Sequence, residues 1–337
     1  MAERKTAWEE RHESVRLYDQ QATIPALKAE RPALGTVQSQ VLQNVAVRID
    51  LAFRAFFRRC KAGEKPGYPR FRGYGRYDSI TYPQVPSGCK LAPDGQRVRL
   101  YGVGDVKIVL HRPIEGTPKT ATITRSSTGK WYVCFSCECP EPTPLPKTDA
   151  PVGIDVGLKT FATLSTGEEI ANPRFFRQEE KALAKVQRAH SKLAKGSPER
   201  AKHRKAVARV HERIGWRRGN FAHQQSRRIV NQFDLIAVED LAVNRMVHNH
   251  CLSKSIHDAA WSQFTSLLTY KAASAGREYV AVNPAYTSQD CSQCGHRQLM
   301  ALAERTYTCT CCGVVLDRDL NASLNILRVG QHSLASA

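Results

Sequence analysis

The sequence predicts a multi-domain α/β protein, and three observations predict it. A helix-period apolar pattern from Val37 to Arg59 gives way to Gly-, Pro- and Tyr-rich chain, then to short alternating runs over about 77–139. A proline-rich run, "PEPTPLPKTDAP", reads as a linker ending near Pro151. Beyond it strand-like and helix-like patterns alternate around a cysteine cluster, the order of an α/β domain carrying an insert. The 337 residues allow two or three domains, and 42% hydrophobic with 24% charged residues is a globular balance that needs no disulfides. The chain shows no repeat of fixed period.

Charge narrows the partner. Fifty Lys+Arg against 31 Asp+Glu give a net charge of +19 and an isoelectric point near 9.6, which points to a polyanion, with nucleic acid foremost. An anionic membrane would attract the same charge, but no apolar run approaches the roughly 18 residues of a spanning helix. The charged opening "MAERKTAWEERHESVRLYDQ" is no signal peptide. The eleven cysteines are therefore read in a reducing cytosol, where close pairs bind metal more often than they form disulfides.

Taken in order, the first sixty residues read as a helical bundle, with Val41, Leu42, Val45, Ile49, Phe53, Phe56 and Phe57 on one helix face. Turns such as "PDGQ" and "SSTGK" separate the strands that follow, so a small β-barrel or sheet domain is expected there. Cys134 and Cys137 fall three apart on one such strand, face opposite ways and are read as packing residues. In "VGIDVGLKT", Val152, Ile154 and Val156 share a strand face and turn Asp155 to the other, between two glycines that clear room for a ligand or metal. The plain alternative is an edge-strand Asp near a turn.

Residues 177–219 carry 14 Lys+Arg against 4 Glu, about half the net charge of the chain, on helical faces broken at "KGSPER". Contact with a phosphate backbone is the reading, against two merely solvated helices. The aromatic–arginine run "YPRFRGYGRY" suits stacking and backbone contact, or is a turn-rich linker. Leu235 to Val238 form a buried strand ending in Glu239 and Asp240, where open α/β sheets place sites; a helix cap by Asp240 is the rival.

Cys291-x2-Cys294 and Cys309-x2-Cys312, each pair followed by glycine and fourteen residues apart, have zinc-ribbon spacing. Four thiolates close the shell, so one zinc ion would be structural. Cys311 is spare and His296 a weak rival. In "LDRDLNASLNIL", Leu320, Leu324 and Leu327 mark a helix face that begins near Asp319. Asp319 is either a first-turn acid favoured by the helix dipole or a ligand. Asp155, Glu239 and Asp319 together, from three separate elements, suit two magnesium-type ions in a phosphodiesterase, with Asp155 bridging them.

At these residues the chain resembles the TnpB family of transposon-encoded RNA-guided DNA endonucleases, relatives of compact type V CRISPR effectors. "GIDVGLKTFATLS", "IAVEDL", "YTSQDCSQCG…YTCTCCG" and "DRDLNASLNIL" carry the likeness, which spans about residues 37–329. It implies a RuvC-like nuclease of RNase H fold with an inserted zinc ribbon, preceded by a β-barrel wedge domain and a helical recognition domain. The implied boundaries are 1–60 (recognition, shortened at its N-terminus relative to the family), 61–147 (wedge), 148–286 (nuclease, first part), 287–313 (ribbon) and 314–337 (final nuclease segment). Catalytic acids carry over onto Asp155, Glu239 and Asp319, and zinc ligands onto Cys291, Cys294, Cys309 and Cys312. Helix phase and family pattern both choose Asp319, leaving Asp317 as a capping or supporting residue.

The function this implies is RNA-guided cleavage of DNA by a two-Mg2+ mechanism in a bacterial or archaeal cytoplasm. The partners would be a guide RNA from the transposon end and double-stranded DNA bearing a short adjacent motif. The alternative is a guide-RNA-directed DNA-binding regulator with little or no cleavage. A transposase acting directly on element ends is a third reading.

Overall fold

Short helices open the chain: α1 (Ala2–Arg11), α2 (Leu17–Ala22) and α3 (Ile24–Glu30), then a 3-10 turn at Pro32–Thr36 and the long α4 (Ser39–Lys61). The computed structural model describes residues 1–73, 75–301 and 304–335, and the chain falls into two units, Met1–Pro140 and Glu141–Ala337. Helix α4 occupies the expected stretch, but its inward residues are Ala46, Asp50 and Phe53, whereas Val45 and Phe57 are exposed. An apolar count missed this face because its middle position is an acid. Asp50 is buried there by Arg4 at 3.2 Å and Arg54 at 2.6 Å.

Among the described residues six strands complete the first unit: β1 (Ser79–Tyr82), β2 (Cys89–Leu91), β3 (Arg97–Leu100), β4 (Gly104–Lys107), β5 (Thr117–Arg125) and β6 (Trp131–Glu138). Of the barrel or sheet expected here, the strands form sheet: two three-stranded antiparallel sheets, β1-β5-β6 and β2-β3-β4, with no ladder joining them among the described residues. They share one core, with Tyr82 and Ala121 from the first meeting Cys89, Val98 and Leu100 from the second. Cys134 and Cys137 do face opposite ways on β6, but Cys134 is exposed and so does not pack. Within the aromatic–arginine run Phe71 is 81% exposed and Tyr77 also faces solvent, while Tyr74 lies outside the described residues.

The second unit centres on a five-stranded sheet of order β11-β10-β7-β8-β9. Its strands are β7 (Pro151–Val156), β8 (Thr160–Leu164), β9 (Glu169–Ala171), β10 (Leu235–Glu239) and β11 (Glu278–Val282). β11, β10 and β7 run parallel, whereas β8 and β9 continue antiparallel. Between β9 and β10 lie α5 (Phe175–Ser191) and α6 (Pro198–Gln232), broken where expected because Pro198 takes the first position of α6 and Ser197 caps it by accepting from the Arg200 amide. Then come α7 (Val243–Met246), α8 (His250–Ala259) and α9 (Trp261–Ser274), and after β11 a hairpin, β12 (Thr306–Thr308) with β13 (Val315–Asp317), that runs into α10 (Arg318–Ala335). Among the described residues no helix is long and apolar enough to cross a membrane.

Strand alternation sorts the sheet's two faces. Val152, Ile154, Val156, Ile236 and Val238 pack under α6, α8 and α9 with Ile229, Ile256, Phe264 and Leu268. Gly153 and Ala237 turn the other way, toward α10. A Cβ on Gly153 would stand 2.1 Å from the Ser323 carbonyl oxygen, and one on Gly330 would stand 2.6 Å from the Ala237 Cβ. The Gly153 of the sequence motif therefore clears space for a helix backbone, not for a ligand. That close approach buries Ala322, Ser323, Ile326 and Gly330 and leaves the leucine face predicted for this helix only half-buried.

Candidate metal centres

Asp155 and Glu239 reach the α10 side of the sheet for one reason: each is one residue out of phase with the buried face of its strand. The parallel register pairs Val238 with Ile154, so the next residues, Glu239 and Asp155, are level at the C-terminal ends of adjacent strands. Asp319 enters from the first turn of α10. All three line one cavity of about 480 Å³, together with Lys159, Thr287, Arg305 and Arg318. The rival reading of Glu239–Asp240 as a helix cap does not hold, since α7 starts at Val243 behind Ala242 with no side-chain cap.

Burial, then the negative charges of Glu239 and Asp319, push the Asp155 carboxyl well above its ordinary range, with Arg318 pulling the other way. Burial raises Glu239 as well, opposed by the hydrogen bond it accepts from the Thr287 hydroxyl. Asp319 is held 3.6 Å from Arg305. Three carboxylates crowded together against their own repulsion form a hard-oxygen donor set for a divalent cation. The two aspartates flanking Arg318 have separate tasks. Asp317 Oδ1 accepts from the Asp319 amide at 2.8 Å and the Leu320 amide at 3.2 Å, so it caps α10 and leaves the Asp319 carboxylate free for the cavity.

The cysteines form the second centre. The ligand atoms of Cys291, Cys294, Cys309 and Cys312 all lie within 4.8 Å of one another. Two matched turns achieve this. Gly295 N donates to Cys291 O and Gly313 N to Cys309 O, and both glycines adopt positive φ, 74° and 76°. The Cys312 amide, donating to its sulfur, holds Cys309 down at about 6. Although the Val314 amide draws Cys312 down, the neighbouring thiols push it up to about 12, as expected of a set that cannot all ionise without a cation among them. Neither Cys311 nor His296 belongs to the set.

Sequence reasoning missed the residues that couple the two centres. Asn325, 2% exposed, donates from Nδ2 to the carbonyls of Thr287 and Asp290 at 2.9 and 2.7 Å. Asn321, fully buried, donates to the Asp290 carbonyl and accepts from the Ser292 amide. These side chains tie the first cysteine turn and Thr287, the partner of Glu239, to the helix that carries Asp319. Two asparagines four apart, on one face of the helix among the leucines of "LNASLNIL", were the available signal.

The chain is similar to known proteins over most of its length. A family model described as "Probable transposase" (OrfB_IS605) matches residues 134–250, and one described as "Cas12f1-like, TNB domain" matches 261–326. A Streptomyces pristinaespiralis protein named "Putative RNA-guided DNA endonuclease" is 39% identical over 301 residues, covering 88% of this chain and 73% of its own length. "Putative RNA-guided DNA endonuclease InsQ" of Escherichia coli (strain K12) is 31% identical over 313 residues, covering 88% and 76%. A solved Cas12f1-sgRNA-target DNA complex overlays with a TM-score of 0.41 at 15% identity, covering 95% of this chain and 87% of that one. On the strength of the two sequence relatives, this chain belongs to the family of TnpB-like RNA-guided DNA endonucleases.

Proposed function

We propose that this chain is a transposon-associated RNA-guided DNA endonuclease whose phosphodiester hydrolysis takes place at Asp155, Glu239 and Asp319. The observation that carries the proposal is the convergence of these acids from two parallel strands and a later helix on one cavity. The sheet order, with the Asp155 strand central, an antiparallel pair on one side and parallel strands on the other, supports a RuvC-like RNase H fold for the second unit.

The three carboxylates fit two magnesium-type ions, which when bound would activate water and stabilise the leaving oxygen of the scissile phosphate. Thr287 fixes the rotamer of Glu239 by donating to it, and Asn325 fixes Thr287 in turn. Arg318 offsets part of the negative charge felt by Asp155. The four cysteines fit one zinc ion, and with all four positions filled by protein sulfur the centre would anchor the loop and take no part in the reaction. Base pairing with the guide RNA would read sequence, while protein contacts would read duplex shape and a short adjacent motif. Eleven free cysteines suit a reducing cytosol.

The test is cleavage by the purified chain with RNA from its element's end and a matching DNA. Mg2+-dependent cutting by the wild type, lost in Asp155→Ala with DNA binding retained, supports the assignment. Equal cutting by Asp155→Ala refutes it.

A further inference from the structure

We infer that the first unit carries a nucleobase pocket between α1 and α4 that takes one unpaired base together with its phosphate. The inference does not rest on the nuclease reading. A cavity of about 400 Å³, the size of a small-ligand site, opens there among Trp8, Phe53, Phe56, Phe57 and Tyr68. Buried Phe53 meets Tyr68 edge-on at 5.8 Å and stacks on Phe57 at 6.4 Å, while His12 meets Trp8 edge-on at 5.7 Å. These contacts fix the rings and still leave Trp8 58%, Phe57 56% and Tyr68 49% exposed. Large apolar side chains left open side by side mark a binding surface.

Polar groups on the wall narrow the ligand. Arg4 lines the cavity with a side chain only 10% exposed. Its Nε donates to Gln20 at 2.8 Å, its Nη1 to Asp50 at 3.2 Å, and its guanidinium lies over Phe53 at 5.3 Å. Its Nη2 has no hydrogen-bond partner among the described residues. A buried donor left unpaired is costly, and an acceptor on a ligand would relieve it. The two acids on the wall are already engaged, Glu9 with Lys5 at 3.6 Å and Glu13 with Arg11 at 2.9 Å, so no free negative charge invites a cation among the rings. Phe53, Phe57 and Lys61 recur every four residues along one face of α4, and Lys61 is exposed, with no ion-pair partner among the described residues. Donor, stacking rings and cation thus follow one another in the order of a nucleotide's acceptor edge, planar base and phosphate. An aromatic amino-acid side chain would fill the rings but leave Arg4 Nη2 and Lys61 unused.

The experiment uses the full chain and two fluorescent probes, 2-aminopurine ribonucleoside monophosphate and an RNA hairpin carrying one bulged 2-aminopurine. Stacking should quench the probe in the wild type. Phe57→Leu keeps an apolar side chain at an exposed position and removes only the ring, so melting should hold while binding weakens about 5- to 150-fold, the worth of one stacked base. Phe57→Trp, which keeps a ring, should bind as the wild type does. Lys61→Ala should weaken the monophosphate and not the uncharged nucleoside. Binding of the hairpin alone assigns the pocket to a nucleotide of a bound RNA, and equal binding of the free monophosphate assigns it to a free nucleotide. No quenching of either probe, or quenching that Phe57→Leu leaves unchanged, overturns the inference. Equal weakening of nucleoside and monophosphate in Lys61→Ala overturns the placement of the phosphate.

Discussion

Asp155 is the most informative single residue. Its carboxyl, like that of Glu239, holds its proton more tightly in the folded chain than in the unfolded one. Such groups stabilise the metal-free fold fully below the ordinary carboxyl value of about 4, and that contribution is lost as pH rises through the raised folded values. Calorimetry on chelator-treated protein should therefore show wild type losing stability relative to Asp155→Asn as pH rises through that window. At neutral pH the Asn variant should melt about 2–4 °C higher, the shift expected for roughly 1 kcal/mol in a unit of this size. Mg2+ should stabilise the wild type and not the variant. Equal melting of the two proteins at every pH would contradict the crowding of the three acids.

Neighbouring Asp317 behaves differently. Asn caps a helix as well as Asp does, so Asp317→Asn should keep stability and cutting, whereas Asp317→Ala should cost ~1 kcal/mol and Asp319→Asn should abolish cutting. Loss of cutting in Asp317→Asn would reverse the division of roles. These acids and the four cysteines were legible in the sequence because strand phase, a helix start and cysteine spacing each restrict where a side chain can point. Thr287 and Asn325 were not, since a hydroxyl or amide acquires its task only from a partner distant in the chain.

Among the elements, α10 decides the geometry of the acidic centre. Its backbone rests on Gly153 and its side chains Asn321 and Asn325 grip the cysteine loop. Gly153→Ala forces a methyl onto the Ser323 carbonyl, so α10 must shift, at about 1–3 kcal/mol, and cutting should fall further than stability does. Paired melting and cleavage measurements check this, and a variant with unchanged melting would show that the helix yields freely. Elemental analysis should find one zinc per chain, lost in Cys291→Ser together with cutting; retention of both would detach the ribbon from the site. The sequence predicted α10 but misjudged its face, because close helix–sheet approach selects small residues over leucines. It likewise anticipated the extent of α4 but not the buried Asp50 on its inner side, which apolar periodicity cannot register.

At the scale of the whole molecule, the charge of +19, about half of it on the stretch spanning α5 and α6, suits a protein that holds a polyanion over a long surface. The order of helices, strands and α/β sheet was readable from pattern and punctuation. How the short strands of the first unit pair was not, because their register is set by partners from distant parts of the chain. RNA-directed hydrolysis at Asp155, Glu239 and Asp319 is open to a reprogramming experiment: the purified chain is loaded with RNAs differing only in guide sequence, and cut positions are mapped on one DNA with Mg2+. The cuts should move with the guide and vanish in Asp155→Asn. Cuts that stay in place whatever the guide, or that survive in Asp155→Asn, would refute the proposed function.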